Sequence, residues 1–350
     1  MRVVVVDDSA FMRRAIRSML ESDSQIEVVA VGRNGREGLE LVKKHKPDLV
    51  TLDIEMPEMD GLTALRHIMR ACPTQVLMVS SLTTEGSHAA LRALQLGAAD
   101  VLAKDASQFS LSITNLQADL LAKAKALAGS ASRRRLAQRT AAAPVVDVPR
   151  FRPGQFDVVC IGASTGGPPV LEAVLAVLPA ELSAPIVVAQ HMPAIFTESM
   201  AGRLSRACRL PVHHVSASMP MPREGICIAV GGKHLHVEKS GLAKWQLRVS
   251  DQPREALYRP SVDALFDSAG RAAGARALGI VLTGMGSDGL EGGRTLRQAG
   301  GTLLAQSEET CVVYGMPKAV TENGLVSASL PPRGIAQALR SLARPSSAVA

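Results

Sequence analysis

Short apolar runs that stop at a polar residue and hand over to an apolar-periodic segment recur along this chain. Val3–Val6 ends at Asp7-Asp8, and Phe11, Ala15, Ile16, Met19 and Leu20 then share one helical face. Ile26–Val31 precedes a helical stretch, Gly35–Lys44. Leu49–Leu52 stops at Asp53, Val76–Val79 at Ser80-Ser81, and Val101–Ala103 at Lys104. The pattern resumes with Val158–Ile161, Pro185–Gln190 and Gly279–Thr283, followed in turn by helical patterns over Val170–Leu178, Phe196–Leu204 and Leu290–Ala299. Strands alternating with helices require crossover connections, and hence a parallel sheet covered on both faces. The expected fold class is α/β, with two doubly wound parallel-sheet domains. In such sheets the residues just past the strand C-termini share one crevice.

A length of 350 residues suits about two domains, and 47% hydrophobic residues can fill their cores. The five cysteines are scattered and odd in number, without a C-x-x-C pair, which argues against a disulfide framework and structural zinc. The amino-terminal apolar run is cut short by Asp7-Asp8, and no run reaches membrane-spanning length. A cytoplasmic protein without direct membrane insertion is expected. Gly129 to Pro153 lacks an apolar period and contains Arg133–Arg135 and several prolines. It reads as a mobile connection, giving expected boundaries of 1–122, 123–155 (linker) and 156–345.

In the first half the strand ends gather Asp7, Asp8, Asp53, Ser80 and Lys104. Clustered carboxylates repel one another and call for a cation, and oxygen ligands beside a phosphate suit Mg²⁺. Any one of these acids alone reads as a helix N-cap; several at matched strand ends do not. With Leu52-Asp53-Ile54-Glu55-Met56-Pro57-Glu58-Met59-Asp60-Gly61, they resemble the flavodoxin-like receiver domain of response regulators. The resemblance implies that Asp53 is the phosphoacceptor for a histidine kinase. It implies Asp7, Asp8, Asp53 and the Glu55 backbone carbonyl around Mg²⁺, with Ser80 and Lys104 supporting the phosphate. Two positions depart from the family: Asp105 stands where proline usually follows the lysine, and Val101 where an aromatic switch residue is common.

In the second half Val158–Ile161 runs into Gly162-Ala163-Ser164-Thr165-Gly166-Gly167 and then Pro168-Pro169. Two readings are open for this turn: a G-x-S-x-G nucleophile elbow, or a phosphate-cradling loop at a helix N-terminus. His191 follows the next strand, and Asp288 lies in the glycine-rich turn after Gly279–Thr283. Hydroxyl, imidazole and carboxylate are the groups a serine nucleophile needs. His213-His214 reads as a surface connection, and His234 and His236 share a strand face without a third metal ligand nearby. Asp251 and Asp263 lack a preceding strand–glycine unit. Arg203 is either an exposed helix charge or a contact for acidic neighbours of a substrate.

Ile161–Gly167, Gln190-His191-Met192-Pro193, Leu282–Gly289 and Gly315–Ala319 resemble the Rossmann-like catalytic domain of the chemotaxis protein-glutamate methylesterase/glutamine deamidase (CheB) family. That resemblance implies a triad of Ser164, His191 and Asp288, with Thr165 and Met285 beside the oxyanion. It implies methanol release from glutamate methyl esters of methyl-accepting chemotaxis receptors, and deamidation of receptor glutamines. No cofactor is expected for the hydrolase, and a monomer is expected. The rival reading joins a receiver to a DNA-binding module. Net charge of +7 and Arg133–Arg135 favour it, but no helix-turn-helix pattern does, so no nucleic-acid partner is expected.

Overall fold

The computed structural model describes residues 1–81, 83–104, 112–137, 147–240 and 244–344. The chain forms two compact units, Met1–Ala141 and Ala142–Ala350.

The first unit runs β1 (Arg2–Val6), α1 (Ala10–Glu21), β2 (Glu27–Gly32), α2 (Gly35–His45), β3 (Leu49–Asp53), α3 (Gly61–Ala71), β4 (Gln75–Ser81), α4 (Thr84–Gln95), β5 (Asp100–Lys104) and α5 (Ser112–Ala137). All strand pairs are parallel, in the order β2-β1-β3-β4-β5. Val3–Val6 and Leu49–Leu52 are buried, as strands covered on both faces must be. The order reverses at β1 and β3, whose ends carry Asp7 and Asp53 into the crevice. Ser9, Asn34, Asp60 and Thr83 start their helices by accepting backbone N–H bonds two or three residues into the first turn.

The expected linker is shortened from both sides. Helix α5 continues to Ala137, so Gly129 and Arg133–Arg135 are helical. The strong helix formers Ala, Leu, Lys and Arg dominate this stretch, and no proline intervenes before Pro144. At the other end, Phe151 N–H donates to Ser341 Oγ at 2.8 Å, and its ring meets Phe156 edge-on at 5.0 Å. Phe151 onward therefore packs with the second unit. Residues 138–146 lie outside the described residues.

The second unit runs β6 (Val158–Ala163), α6 (Gly167–Leu175), β7 (Ile186–Gln190), α7 (Ala194–Ala207), β8 (Val212–Val215), β9 (Met219–Pro220), β10 (Ile226–Ala229), β11 (His234–Ser240), β12 (Lys244–Ser250) and α8 (Val262–Ala273). It continues with β13 (Ala277–Val281), α9 (Leu290–Gln298), β14 (Thr302–Gln306), α10 (Met316–Glu322), β15 (Ala328–Leu330) and α11 (Pro332–Arg340). Seven parallel strands follow the order β15-β14-β13-β6-β7-β10-β8, and an antiparallel sheet β11-β12-β9 stands beside them. Helix α8 joins the two sheets: Leu265 and Phe266 share a core with Val187 of the large sheet and Leu235 and Leu247 of the small one. The strand order of the large sheet reverses at β6, which lies between β7 and β13.

Candidate active site

In the first unit, carboxylate oxygens of Asp7, Asp8 and Asp53 lie within 4.8 Å of one another. Lys104 Nζ sits 2.7 Å from Asp7 Oδ2 and 2.8 Å from Asp53 Oδ2. Burial pushes the Asp53 carboxyl above its ordinary pKa, against the pull of Lys104 and with the push of Asp7. Burial works against the Lys104 charge too, but Asp53 and Asp7 prevail and its pKa is raised. Such an acid-rich pocket, with Lys104 against two of its carboxylates, has a donor set that fits a hard divalent cation. Ser80 is buried, and its hydroxyl donates to the Gly86 carbonyl at 3.1 Å. Gly61 is required by contact: a Cβ there would lie 1.9 Å from the Asp53 carbonyl oxygen. Glu55 is exposed, Val101 is half-buried, and Asp105 lies outside the described residues.

In the second unit, strand register brings the sequence-selected residues together. Ala163 of β6 pairs with Gln190 of β7, so Ser164 and His191 leave adjacent strands side by side. On the other flank Gly162 pairs with Val281 of β13, and Ser164 N–H donates to the Thr283 carbonyl at 3.0 Å. Gln190 Nε2 donates to the Ser164 carbonyl at 2.9 Å and to the His191 carbonyl at 3.4 Å, tying the two turns together. Gly166 adopts φ +76°, a left-handed conformation that glycine takes without penalty, and α6 begins at the next residue. Gly284 packs directly on the serine, because a Cβ there would lie 2.8 Å from Ser164 Cβ and 2.4 Å from Met316 Sδ. Thr165 follows the serine and is buried; Met285 follows Gly284 and is half-buried.

His191 Nε2 is 2.8 Å from Asp288 Oδ2. The same carboxylate accepts the N–H groups of Val262 at 2.7 Å and Asp263 at 2.8 Å, and the Ser261 hydroxyl at 3.0 Å. It thus sits at the N-terminus of α8, where the helix dipole favours an anion. Burial opposes its ionisation, but the bonds from His191 and from the backbone of Asp263 and Val262 outweigh it and draw its pKa down to about 2. An ionised carboxylate only accepts, so in the neutral imidazole Nε2 carries the hydrogen and Nδ1 the lone pair. Nδ1 is buried and has no hydrogen-bond partner among the described residues. The Tyr258 ring lies flat on the imidazole, with centroids 4.2 Å apart and planes 13° from parallel.

The remaining candidates are committed elsewhere. His234 Nδ1 accepts Ser261 N–H at 3.2 Å and its Nε2 bonds the Pro253 carbonyl at 3.1 Å, while His236 Nε2 bonds the Gln252 carbonyl at 3.0 Å. Both imidazoles are depressed in pKa by burial. His213 and His214 are not in a surface connection; they form part of β8, half-buried, with His214 Nε2 3.0 Å from Thr197 Oγ1. Arg203 is not a lone exposed charge: it grips both Glu172 oxygens at 2.8 and 2.9 Å. Asp251 pairs with Lys233.

Sequence reasoning passed over Gln190, Ser261, Asp263 and Tyr258 as parts of this site. Ser261 had a usable signal, since a serine just before an apolar-periodic run is a helix start. Tyr258 had none, because it lies in a stretch without periodicity.

Comparison with known proteins identifies both halves of the chain. Residues 159–339 match the CheB methylesterase family, and residues 3–113 match the response regulator receiver domain. The chain is 50% identical to a protein-glutamate methylesterase/protein-glutamine glutaminase of Oleidesulfovibrio alaskensis, over 97% of this chain and 98% of that one. It is 47% identical to a protein of the same description from Nitratidesulfovibrio vulgaris, over 92% and 94% of the two chains. The crystal structure of the Thermotoga maritima CheB methylesterase catalytic domain superposes with a TM-score of 0.51 at 37% identity, covering 53% of this chain and 98% of that one. With its strand-end serine, histidine and aspartate following an acid-lined receiver in the sequence, this chain belongs to the CheB methylesterase family.

Proposed function

We propose that this cytoplasmic enzyme hydrolyses glutamate γ-methyl esters on methyl-accepting chemotaxis receptors, releasing methanol, and deamidates particular receptor glutamines to glutamate. Support for the reaction comes from relatives that carry both activities in their names. Support for the residue roles comes from one observation above all. Asp288 engages His191 through Nε2, leaving Nδ1 as the nitrogen without a hydrogen-bond partner among the described residues.

Ser164 Oγ attacks the ester carbonyl while its proton passes to His191 Nδ1. Asp288 holds Nε2–H and stabilises the imidazolium that forms. Charge developing on the carbonyl oxygen is met within the glycine-rich turn after Ser164, with Thr165 and Met285 at its borders; the N–H groups of Ser164 and Gly167 are already donated, to the Thr283 and Ser164 carbonyls. Collapse expels methanol, which takes the proton from Nδ1. Water then gives a proton to Nδ1 and attacks the acyl-enzyme, and the receptor carboxylate leaves as Ser164 recovers its proton. With a glutamine substrate the leaving group is ammonia.

Control lies in the first unit. Asp53 accepts a phosphoryl group from the phosphohistidine of a histidine kinase. Asp7, Asp8, Asp53 and the Glu55 carbonyl would hold Mg²⁺, which when bound neutralises phosphoryl oxygens. Lys104 pairs with the same phosphoryl group, and Ser80 turns its hydroxyl from Gly86 toward it. Among the described residues no helix is long and apolar enough to cross a membrane.

The test is methanol release from receptor membranes carrying radiolabelled methyl esters, in the presence of a small phosphodonor. Wild-type protein should release label and react with a fluorophosphonate at Ser164, while Ser164→Ala should do neither. Undiminished release by Ser164→Ala sinks the assignment.

A further inference from the structure

Among the described residues His191 is tethered by a single side-chain hydrogen bond, from Nε2 to Asp288. One bond fixes one nitrogen. It leaves the ring plane free to turn, because the second side-chain torsion of histidine is broad and roughly two-fold. A turned ring would present a carbon edge, not Nδ1, to the serine. Nδ1 itself has no partner to hold it. Against the ring plane lies Tyr258, stacked 4.2 Å away and 13° from parallel.

We propose that Tyr258 is a positioning residue for the base, its ring fixing the His191 plane so that Nδ1 faces Ser164. The inference rests on the assignment of His191 as the proton acceptor. The loop that delivers Tyr258 is itself clamped. Its start is held by His234 and His236, which bond the carbonyls of Pro253 and Gln252. Its end is held by Gly232 N–H, which donates to the Arg259 carbonyl at 3.0 Å. Arg259 also reaches back to the Arg254 carbonyl at 2.7 Å, closing the loop on itself. The two strand histidines thus act at the site through Tyr258, not as metal ligands. A stacked ring has a second consequence: its face favours the positive charge that the imidazole acquires when Ser164 gives up its proton. Both effects need the ring and neither needs the hydroxyl.

The experiment compares full-length wild type, Tyr258→Phe, Tyr258→Leu and Tyr258→Ala, with phosphodonor, on radiolabelled receptor membranes. Misplacing a base by about an ångström costs up to about 100-fold, so Tyr258→Ala should lower kcat about 10- to 100-fold. KM should stay within about two-fold, because the ring acts in the transition state and not in substrate capture. Tyr258→Phe should keep kcat within about three-fold of wild type. Tyr258→Leu, which keeps bulk without an aromatic face, should fall between and supplies the reading if the alanine variant does not fold. Wild-type kcat in both the alanine and leucine variants overturns the proposal, as does a phenylalanine variant as slow as alanine, or a loss confined to KM. A wild-type protein that releases no methanol would instead remove the hydrolase reading on which the proposal stands.

Discussion

Asp288 and Asp263 cap each other's helices. Asp288, in the turn before α9, accepts the first N–H groups of α8; Asp263, in the first turn of α8, accepts Gly289 N–H at 2.9 Å and Gly292 N–H at 2.8 Å at the start of α9. The exchange locks the two helices together and aims the Asp288 carboxylate at His191. It also sets two carboxylates against each other. Asp288 holds the low value of about 2, whereas burial and the negative Asp288 push Asp263 up to about 6, despite its bonds from Gly292 and Gly289.

That repulsion makes Asp263→Asn a stabilising change. Asparagine keeps an oxygen for both N–H groups and loses the charge. A raised carboxyl pKa means the folded state holds a proton that the unfolded chain releases. Asp263 therefore destabilises increasingly as pH rises from 3.8 to about 6, and fully above that. The expected gain is on the order of 1 kcal/mol at pH 8. It should fade below pH 4, while the stabilising contribution of Asp288 is lost only as pH falls toward about 2. Thermal melts of both proteins at pH 8, 6 and 4 measure this; a gain that grows in acid contradicts it.

Gly284→Ala tests the packing behind the nucleophile. The new methyl would lie 2.4 Å from Met316 Sδ and 2.8 Å from Ser164 Cβ, so the thioether or the serine turn must move. Overpacking of this kind costs about 1–3 kcal/mol. Displacement of Ser164 should slow its reaction with a fluorophosphonate at least about tenfold. Unchanged labelling with lowered stability would mean that Met316 alone yields.

Asp53→Asn should take up no base-labile phosphate from acetyl phosphate with Mg²⁺, because Asp7, which also meets Lys104, has a fully buried side chain, whereas that of Asp53 keeps some exposure. Ser80→Ala should still take up phosphate but give a smaller rise in methanol release, since its hydroxyl must leave Gly86 to meet the phosphoryl group. Persisting base-labile phosphate in Asp53→Asn would reveal a second acceptor.

What could be read in the sequence was whatever a strand end announces. Ser164, His191, Asp288, Asp7, Asp53 and Lys104 each follow an apolar run, and a parallel sheet sends all such residues to one edge. What could not be read depended on partners remote in the chain. Asp263 looks like any helix-start acid until α9 is laid against it. Arg203 looks unpaired until α6 brings Glu172. The short strands β8, β10 and β15 carry too few residues to show a period, which is why His213 and His214 resemble a connection. Residues 123–137 read as linker although α5 runs through them, because Gly129 and the arginine run suggest a break that an alanine-rich helix tolerates.

Control by phosphorylation should be separable from chemistry by cutting the chain. A fragment beginning at Arg150 keeps Phe151, whose bonds to Ser341 and packing on Phe156 make it part of the second unit. It therefore retains every side chain assigned to the hydrolase. If the receiver restrains the hydrolase, the unphosphorylated whole chain spends most of its time in a restrained state. Phosphorylation then shifts the balance between states already present, each ~1.4 kcal/mol changing their ratio tenfold. Removing the receiver and supplying a phosphodonor should both raise methanol release, and the phosphodonor should have no effect on the fragment. Ser80 is expected to carry most of the response, because Val101 stands where an aromatic switch residue is common. Turnover by the fragment below that of the unphosphorylated whole chain would reverse the sign, making the receiver an activator or a means of holding the receptor.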